Sequence, residues 1–136
     1  MPNAASEDKR RINATIAKAR ACLMNDSKWR EVFSLLGSSP HLRTPVRWRF
    51  VRDDRVFFDP VPPASWLLAK HLPDTLPSPY GPYREIDWIE IPAQHQVDRW
   101  VTHKNDLDAL MTELRELGQL PLSRSDSAIR ISGYEW

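Results

Sequence analysis

Proline is concentrated near the middle of this chain, and this limits the possible folds more than any other feature of the sequence. Seven of the twelve prolines lie within residues 60–82, which we call the Pro-rich arm. Each proline removes a backbone donor and fixes φ, so neither a long helix nor a central strand can run through this segment. The arm is expected to be an ordered loop or a mobile connection, and residues 64–72 have enough apolar side chains for one or two helical turns on a sheet.

Two helices are predicted before the arm. Residues 6–24 carry a narrow apolar stripe at helical spacing, with Ser6 as a candidate N-cap. A second helix is predicted to start after Asp26 or Ser27 and to end at Gly37. Its apolar residues recur at i, i+3, i+4 and i+7, and they are Trp29, Val32, Phe33 and Leu36. The first helix is polar over most of its circumference, which is typical of a helix at the edge of a fold.

The hydrophobic period changes from helical to alternating in residues 46–58, which predicts a hairpin or a tight pair of strands. Trp48 and Phe50 then occupy one face, and Arg47 and Arg49 occupy the other. The aromatic face is expected in the core, and the arginine face is expected in solvent.

The strongest strand pattern follows the arm at residues 85–92, where β-branched and aromatic residues predominate. Ile86 and Trp88 are predicted on one face of this strand, and Trp88 is expected to be a large buried aromatic residue. Apolar residues on both faces are typical of a central strand. A further strand is predicted at residues 97–102, with Trp100 near its middle.

A helix and a last strand complete the chain. Asn105 is a candidate N-cap, and Gly118 ends a helix with a continuous apolar stripe. Residues 128–136 alternate and predict the last strand. These elements predict an α+β fold with two N-terminal helices, a mainly antiparallel sheet of about four to five strands with the Pro-rich arm, and a helix before the last strand. We expect one domain over residues 1–136, with residues 1–25 forming a peripheral helix.

Composition and spacing exclude several classes of function. The mean hydropathy is -0.53, and no apolar run approaches the ~20 residues of a transmembrane helix. The N-terminus is polar, so the protein is expected in the cytoplasm. The single cysteine, Cys22, forms no internal disulfide, and the four histidines lack ligand spacing, so no metal site is expected. The isolated glycines form no phosphate-binding loop, and we predict a protein without a cofactor that is not an enzyme.

Charge is distributed unevenly along the chain, although the net charge is only +1. Residues 1–58 carry twelve Lys+Arg and six Asp+Glu, whereas residues 59–136 carry seven and twelve. This division fits a basic face for an anionic partner, an acidic face for a basic partner, or two halves that attract each other on folding.

The first candidate site combines aromatic residues of the arm with the acidic strand that follows it. Aromatic side chains on a stiff loop are efficient anchors of protein interfaces, and carboxylates speed association with a basic partner. The predicted partner-binding residues are Trp66, Tyr80, Tyr83, Glu85, Asp87 and Glu90. Glu85 and Asp87 are expected on one face of the strand, with Glu90 on the other.

The second candidate site is an anion-binding surface on the predicted hairpin, formed by Arg47, Arg49 and Arg52. It would suit a small RNA- or nucleotide-associated regulatory protein. Two observations weigh against this alternative. Trp48 and Phe50 point away from the arginines and cannot stack on bases held there, and the pI of about 7.9 is below the range of strongly basic RNA-binding domains.

Three segments resemble, in order and spacing, an uncharacterised family of small bacterial cytoplasmic proteins. They are KWREVFSLL at 28–36, YREIDWIEIP at 83–92 and IRISGYEW at 129–136. The resemblance covers most of residues 27–136 and leaves residues 1–25 outside. Small proteins of this kind are similar to immunity proteins encoded beside polymorphic toxins. The resemblance therefore implies a non-enzymatic cytoplasmic immunity protein that binds and neutralises a cognate toxin.

Overall fold

The computed structural model describes residues 4–74 and 81–136 and has a mainly antiparallel sheet at its centre. In chain order its elements are α1 (Ala4–Ala17), β1 (Ala21–Cys22), α2 (Asp26–Ser38), β2 (Val46–Phe50), β3 (Val56–Asp59), β4 (Ile86–Pro92), β5 (Gln94–Gln96), β6 (Thr102–Lys104), α3 (Leu107–Glu116), β7 (Leu122–Arg124), β8 (Ala128–Ser132) and β9 (Tyr134–Glu135). Five strands form the main sheet in the order β3-β2-β4-β8-β7, and β5 pairs with β6 in a separate hairpin. The predicted α+β fold is confirmed.

The main sheet shares one hydrophobic core with α2 and α3. The helical stripe of α2 buries Trp29, Val32, Phe33 and Leu36. The stripe of α3 buries Leu107, Leu110, Met111 and Leu114. The sheet contributes Val46, Trp48, Phe50, Ile86, Ile89, Ile91, Ile129 and Ile131. The core forms where the helical stripes and the alternating strands bring their apolar sides together, because removal of apolar surface from water is the main favourable contribution to folding.

The N-caps of α2 and α3 lie one residue from the predicted positions. Asn25 Oδ1 accepts a hydrogen bond from the backbone N–H of Lys28 at 2.8 Å. Asp106 Oδ1 accepts one from the backbone N–H of Ala109 at 3.0 Å. Asn105, the predicted cap of α3, therefore has another role.

Asn105 is a buried polar residue that links three segments of the chain. Its Nδ2 donates to Thr44 Oγ1 at 2.7 Å and to the carbonyl oxygen of Pro92 at 2.8 Å. Its Oδ1 accepts from the backbone N–H of Arg43 at 2.6 Å. The side chain thus joins the loop before β2, the end of β4 and the start of α3.

The described part of the Pro-rich arm is ordered and packs on α2. Leu67 and Leu72 are buried, and a 3-10 turn at Ala64–Trp66 lies against the helix. A Cβ at Gly37 would lie 2.7 Å from the carbonyl oxygen of Pro62. Glycine is required there for close approach of the arm, and the prediction that Gly37 ends the helix is wrong because α2 continues past it.

The N-terminal helix is shorter than predicted. Instead of covering residues 6–24, α1 ends at Ala17, and Ala21–Cys22 pair with β9. The backbone N–H of Leu23 donates to the carbonyl oxygen of Gly133 at 2.8 Å. The backbone groups beyond α1 are therefore satisfied by the distant C-terminus rather than by another helical turn.

The predicted last strand at residues 128–136 is divided into β8 and β9 at Gly133. A Cβ at this position would collide with the carbonyl oxygen of Ile86. The Gly133 backbone N–H also donates to the carbonyl oxygen of Asp87 at 2.6 Å. This close backbone approach separates the end of the main sheet from the short β1–β9 pair.

A bulge in β4 decides the face on which Trp88 lies. Arg49 pairs with Trp88, whereas the next residue, Phe50, pairs with Ile86, so β4 contains one additional residue. Ile86 and Ile89 are consequently both buried in the core, and Trp88 is only partly buried, on the opposite face. The prediction that Trp88 is a core residue is wrong because the bulge changes the alternation.

Candidate functional site

The main sheet has an outer face, opposite the core, on which side chains of neighbouring strands form two rows. In one row Arg47, Glu90 and Arg130 lie side by side on β2, β4 and β8. In the next row Arg49 lies beside Trp88. Trp48 and Phe50 point into the core as predicted, but β4 supplies another aromatic residue, Trp88, to the face of the hairpin arginines.

Glu90 joins the strands on either side of it through charged hydrogen bonds. Arg47 Nε donates to Oε1 at 3.0 Å, and Arg130 Nη2 donates to Oε2 at 2.9 Å. The Glu90 side chain is 18% exposed. Burial raises the pKa of Glu90, but the hydrogen bonds and charges of the two arginines together outweigh it, so the pKa lies below its usual value. Glu90 is therefore ionised at neutral pH and engaged within the sheet.

The other carboxylates of the predicted acidic strand also lie beside arginines. Asp87 Oδ2 is 3.6 Å from Arg49 Nε, and Glu85 Oε1 is 4.0 Å from Arg52 Nη1. Both carboxylates are largely covered. The acidic and basic residues that the sequence suggested as alternative binding sites thus form one set of neighbouring opposite charges, and little uncompensated negative charge faces a partner.

A concavity of about 490 Å³ lies on the outer face. Its lining includes Arg49, Asp87, Trp88, Arg130, Ser132 and Trp136. The Arg130 guanidinium carbon is 4.1 Å from the ring centroid of Trp88, and Trp136 Nε1 donates to Asp87 Oδ1 at 2.9 Å. Among the described residues, the buried Arg49 Nε has no hydrogen-bond partner, and Asp87 Oδ2 lies 3.6 Å from it. The concavity therefore combines planar surfaces with the guanidinium groups of Arg49 and Arg130.

The aromatic residues predicted as anchors in the arm have different environments. Tyr83 is fully buried, donates its hydroxyl to the carbonyl oxygen of Leu68 at 2.7 Å and packs on Phe33 with 5.9 Å between ring centroids. Burial also raises the pKa of this hydroxyl. The prediction that Tyr83 contacts a partner is corrected, since its side chain has no exposed surface. Trp66 is 51% exposed, and Tyr80 lies outside the described residues.

Trp100 is the most exposed large hydrophobic side chain in the part of the chain that the structure describes, at 84%. The prediction of a strand at residues 97–102 is wrong, because most of this stretch is the loop between β5 and β6. Val97 and Val101, on either side of the tryptophan, are also exposed. We call residues 97–101 the Trp100 loop.

Hydrogen bonds hold the Trp100 loop in a defined turn. Asp98 Oδ1 accepts from the backbone N–H of Trp100 at 2.7 Å and from that of Val101 at 2.9 Å. The backbone N–H of Val97 donates to the carbonyl oxygen of Val101 at 2.9 Å. An aspartate that accepts from the following backbone is typical of turns, and Asp98 was the feature of the sequence that could have predicted this loop.

The β5–β6 hairpin contacts the edge of the outer face. The ring of His95 on β5 packs on the ring of Phe58 on β3, with 4.8 Å between centroids. Phe58 is exposed and pairs with Arg47 in the same cross-strand row. Aromatic surface therefore extends from the outer face to the base of the hairpin.

The described residues contain no metal-binding cluster and no membrane-spanning helix. No group of three or more His, Cys, Asp or Glu side chains in residues 4–74 and 81–136 is arranged to hold a metal ion. No helix in the same ranges is long and apolar enough to cross a bilayer.

The single cysteine is hydrogen-bonded within the chain: the Cys22 thiol donates to the carbonyl oxygen of Met24 at 3.1 Å.

A family model corresponds to nearly the whole chain. The model of a family of unknown function, DUF6678, matches residues 12–136. The match includes the outer face and the Trp100 loop, and it also includes β1, which the resemblance of the three segments leaves outside. No curated protein and no solved structure matches the chain.

Proposed function

We propose, from the premise that this chain belongs to the DUF6678 family, that it is a non-catalytic binding protein that inserts the Trp100 loop into a cleft of a protein partner. The observation that carries the proposal is the 84% exposure of Trp100 at the tip of a hydrogen-bonded turn. Tryptophan is among the residues most enriched at the energetic centres of protein interfaces. An indole held in water in this way offers contact area to a partner.

Burial of this indole would make a large contribution to binding. An aromatic side chain of this size buries roughly 150–250 Å², which corresponds to about 4–6 kcal/mol at ~25 cal/mol per Å² before the costs of association are subtracted. Val97 and Val101 extend the apolar surface on both sides of Trp100. The contact would therefore be centred on Trp100, with the valines excluding water around it.

The turn geometry supports the same proposal. Asp98 holds the backbone on the C-terminal side of the loop through two hydrogen bonds. A loop that is already in its bound conformation loses less entropy on association, and more of the contact energy remains as affinity. The Trp100 loop is in this respect a better anchor than a loop without such hydrogen bonds.

Within this class of binding protein, we propose a cytoplasmic immunity protein that neutralises a cognate bacterial toxin. A protruding loop with an apolar tip suits the concave active site of an enzyme. The resemblance of the three sequence segments to small bacterial proteins supports the same assignment. Because Glu85, Asp87 and Glu90 each have an arginine neighbour, we place the main contact at the Trp100 loop rather than on these carboxylates.

The experiment uses the product of the gene immediately upstream as the candidate partner. Affinity is measured by titration calorimetry for the wild type, Trp100→Ala and Trp66→Ala. Trp66→Ala is the control, because the Trp66 side chain is also 51% exposed. We expect Trp100→Ala to weaken binding at least tenfold, about 1.4 kcal/mol, and Trp66→Ala to bind close to wild type. Co-expression with the wild-type chain should relieve toxicity of the partner.

Three outcomes would contradict this proposal. Loss of affinity only in Trp66→Ala would move the interface to the Pro-rich arm. Failure to bind the neighbouring gene product or to relieve its toxicity would contradict the immunity assignment. Binding of RNA that weakens steeply between about 50 and 200 mM salt would instead favour the RNA-associated regulatory alternative.

A further inference from the structure

The concavity on the outer face carries a second set of groups, separate from the Trp100 loop. We propose that it binds a mononucleotide, with the phosphate on Arg49 and the base against the planar groups of Trp88, Trp136 and Arg130. This inference is independent of the protein partner proposed above.

Arg49 is more weakly paired than Arg130, the other arginine that lines the concavity. Its neighbours Arg47 and Arg130 both donate hydrogen bonds to Glu90, whereas Arg49 only approaches Asp87, at 3.6 Å. Its Nε is buried beside Asp87, just beyond hydrogen-bond distance, whereas the Arg49 side chain as a whole is 40% exposed and lines the concavity. A phosphate can accept two parallel hydrogen bonds from a guanidinium, and we place it on the exposed part of the Arg49 side chain.

Planar surfaces surround this arginine. Trp88 lies directly opposite Arg49 across the β2–β4 pair, and Trp136 is about half exposed at the rim of the concavity. The Arg130 guanidinium lies over Trp88, at 4.1 Å from the ring centroid. Indole rings and guanidinium planes are the groups on which proteins stack nucleobases.

The polar groups beside Arg49 fit the sugar of a nucleotide. Asp87 Oδ1 takes the hydrogen bond from Trp136, and Oδ2, which lies 3.6 Å from Arg49 Nε, has a lone pair that can accept from a ligand. The hydroxyls of Ser132 and Thr15 also line the concavity. A carboxylate accepts hydrogen bonds from ribose hydroxyls, and a side-chain hydroxyl can accept from them or donate to them. An inorganic anion has no ribose hydroxyls to make these contacts.

The balance of charges favours a free mononucleotide over a nucleic-acid strand. Arg49 and Arg130 line the concavity, but so do Asp53 and Asp87. These carboxylates repel phosphate groups, so a strand with several phosphates is disfavoured more than a mononucleotide with one. The volume of about 490 Å³ also lies within the roughly 300–1,000 Å³ of small-molecule sites.

Titration calorimetry of the full chain with four probes tests the ligand class. The probes are AMP, adenosine, inorganic phosphate and a single-stranded oligoadenylate. We expect AMP to bind and to change tryptophan fluorescence, and adenosine and phosphate each to bind at least tenfold more weakly, because each makes only part of the contacts. Phosphate binding as tight as AMP, tighter binding of the oligoadenylate, or no binding of millimolar AMP would each overturn the assignment.

Variants then test the site itself. Arg49→Gln and Trp136→Ala should each weaken AMP binding at least tenfold while the melting temperature shows a folded chain. Arg124→Gln is the matched control, since this strand arginine pairs with Asp108 of α3 at 2.8 Å, and it should bind AMP like the wild type. Trp100→Ala should also leave AMP binding unchanged, which separates this site from the partner contact. Wild-type affinity in Arg49→Gln would overturn the proposal.

Discussion

Glu90 on β4 and Arg47 on β2 lie directly opposite each other, with 3.0 Å between Oε1 and Nε. Arg130 of β8 reaches the same carboxylate from the other side. The sequence suggested the acidic and the basic residues as two separate binding surfaces. In the structure Glu90 and Arg47, one from each set, hydrogen-bond to each other in one cross-strand row. Because Glu90 is mostly covered, its charged hydrogen bonds contribute more to stability than exposed ion pairs do.

Replacing Glu90 tests this row through its pH dependence. Glu90→Gln should lower the free energy of unfolding by about 1–2 kcal/mol at pH 7, because the hydrogen bonds from Arg47 and Arg130 lose their charged acceptor. The pKa of Glu90 in the folded chain lies below the usual 4.5, so the ionised group stabilises the fold above that pH, and this contribution disappears as the pH falls through the lowered pKa. Urea melts should show the stability difference between Glu90→Gln and wild type shrinking in acid, and the exposed Glu31→Gln is measured as the control. A difference that does not change with pH would contradict the prediction.

Two tryptophans on neighbouring strands should differ in their contribution to stability. Trp48→Ala should destabilise by about 3–5 kcal/mol, because the indole is fully buried and donates to the carbonyl oxygen of Asp59 at 2.9 Å. Trp88→Ala should cost about 1–2 kcal/mol, because a half-buried ring loses mainly its contact with Arg130. The measurement is urea unfolding followed by circular dichroism. Equal losses would place Trp88 in the core and contradict the bulge in β4.

Asn105 should contribute more to the free energy of unfolding than Asp106, the N-cap residue beside it. Asn105→Ala leaves the backbone N–H of Arg43 and the hydroxyl of Thr44 without their buried partner and should cost about 2–3 kcal/mol. Asp106→Ala removes one exposed N-cap hydrogen bond and should cost about 1 kcal/mol. Thermal melts of both variants check the order, and a larger loss in Asp106→Ala would show that Asn105 does not link the three segments.

Asp98 is expected to control the order of the Trp100 loop rather than the stability of the fold. Asp98→Ala should leave the melting temperature within a few degrees of wild type, because the side chain is exposed and its hydrogen bonds lie within the loop. Amide hydrogen exchange at residues 100 and 101 should become faster, and affinity for the protein partner should fall although Trp100 is still present. The exposed Asp126→Ala is the control. Unchanged exchange at both amides would show that Asp98 does not order the loop.

The sequence pattern correctly predicted those helices and strands whose buried face follows from the spacing of their own apolar residues. The i, i+3, i+4 spacing from Trp29 to Leu36 identified the buried face of α2, and the alternation in residues 46–58 correctly separated Trp48 from Arg47. These predictions hold because helices and strands bring side chains to one face at fixed intervals, whatever covers that face. Cap positions were one residue off, because several neighbouring polar residues can cap equally well.

The candidate sites were harder to predict because they depend on contacts between distant segments. Trp66 lies in the Pro-rich arm and Tyr83 directly follows it, yet Tyr83 is buried against Phe33 of α2 and Trp66 is exposed. Tryptophan is a residue type that favours strands, but the hydrogen bond from the Trp100 backbone N–H to Asp98 places Trp100 at the tip of a loop. No periodicity within these segments distinguishes the buried aromatic residue from the exposed ones.

The sequence by itself determined the α+β class, the apolar faces of α2 and α3, the alternation of β2 and the interruption of regular structure by proline. Only the tertiary structure decided that β1 pairs with β9, that Trp88 joins Arg49 on the outer face, and that Glu90 lies between Arg47 and Arg130. The physical reason is strand register. A shift of one residue moves a side chain to the other face of a sheet, and register is set by the partner strand and its bulges rather than by the strand's own residues.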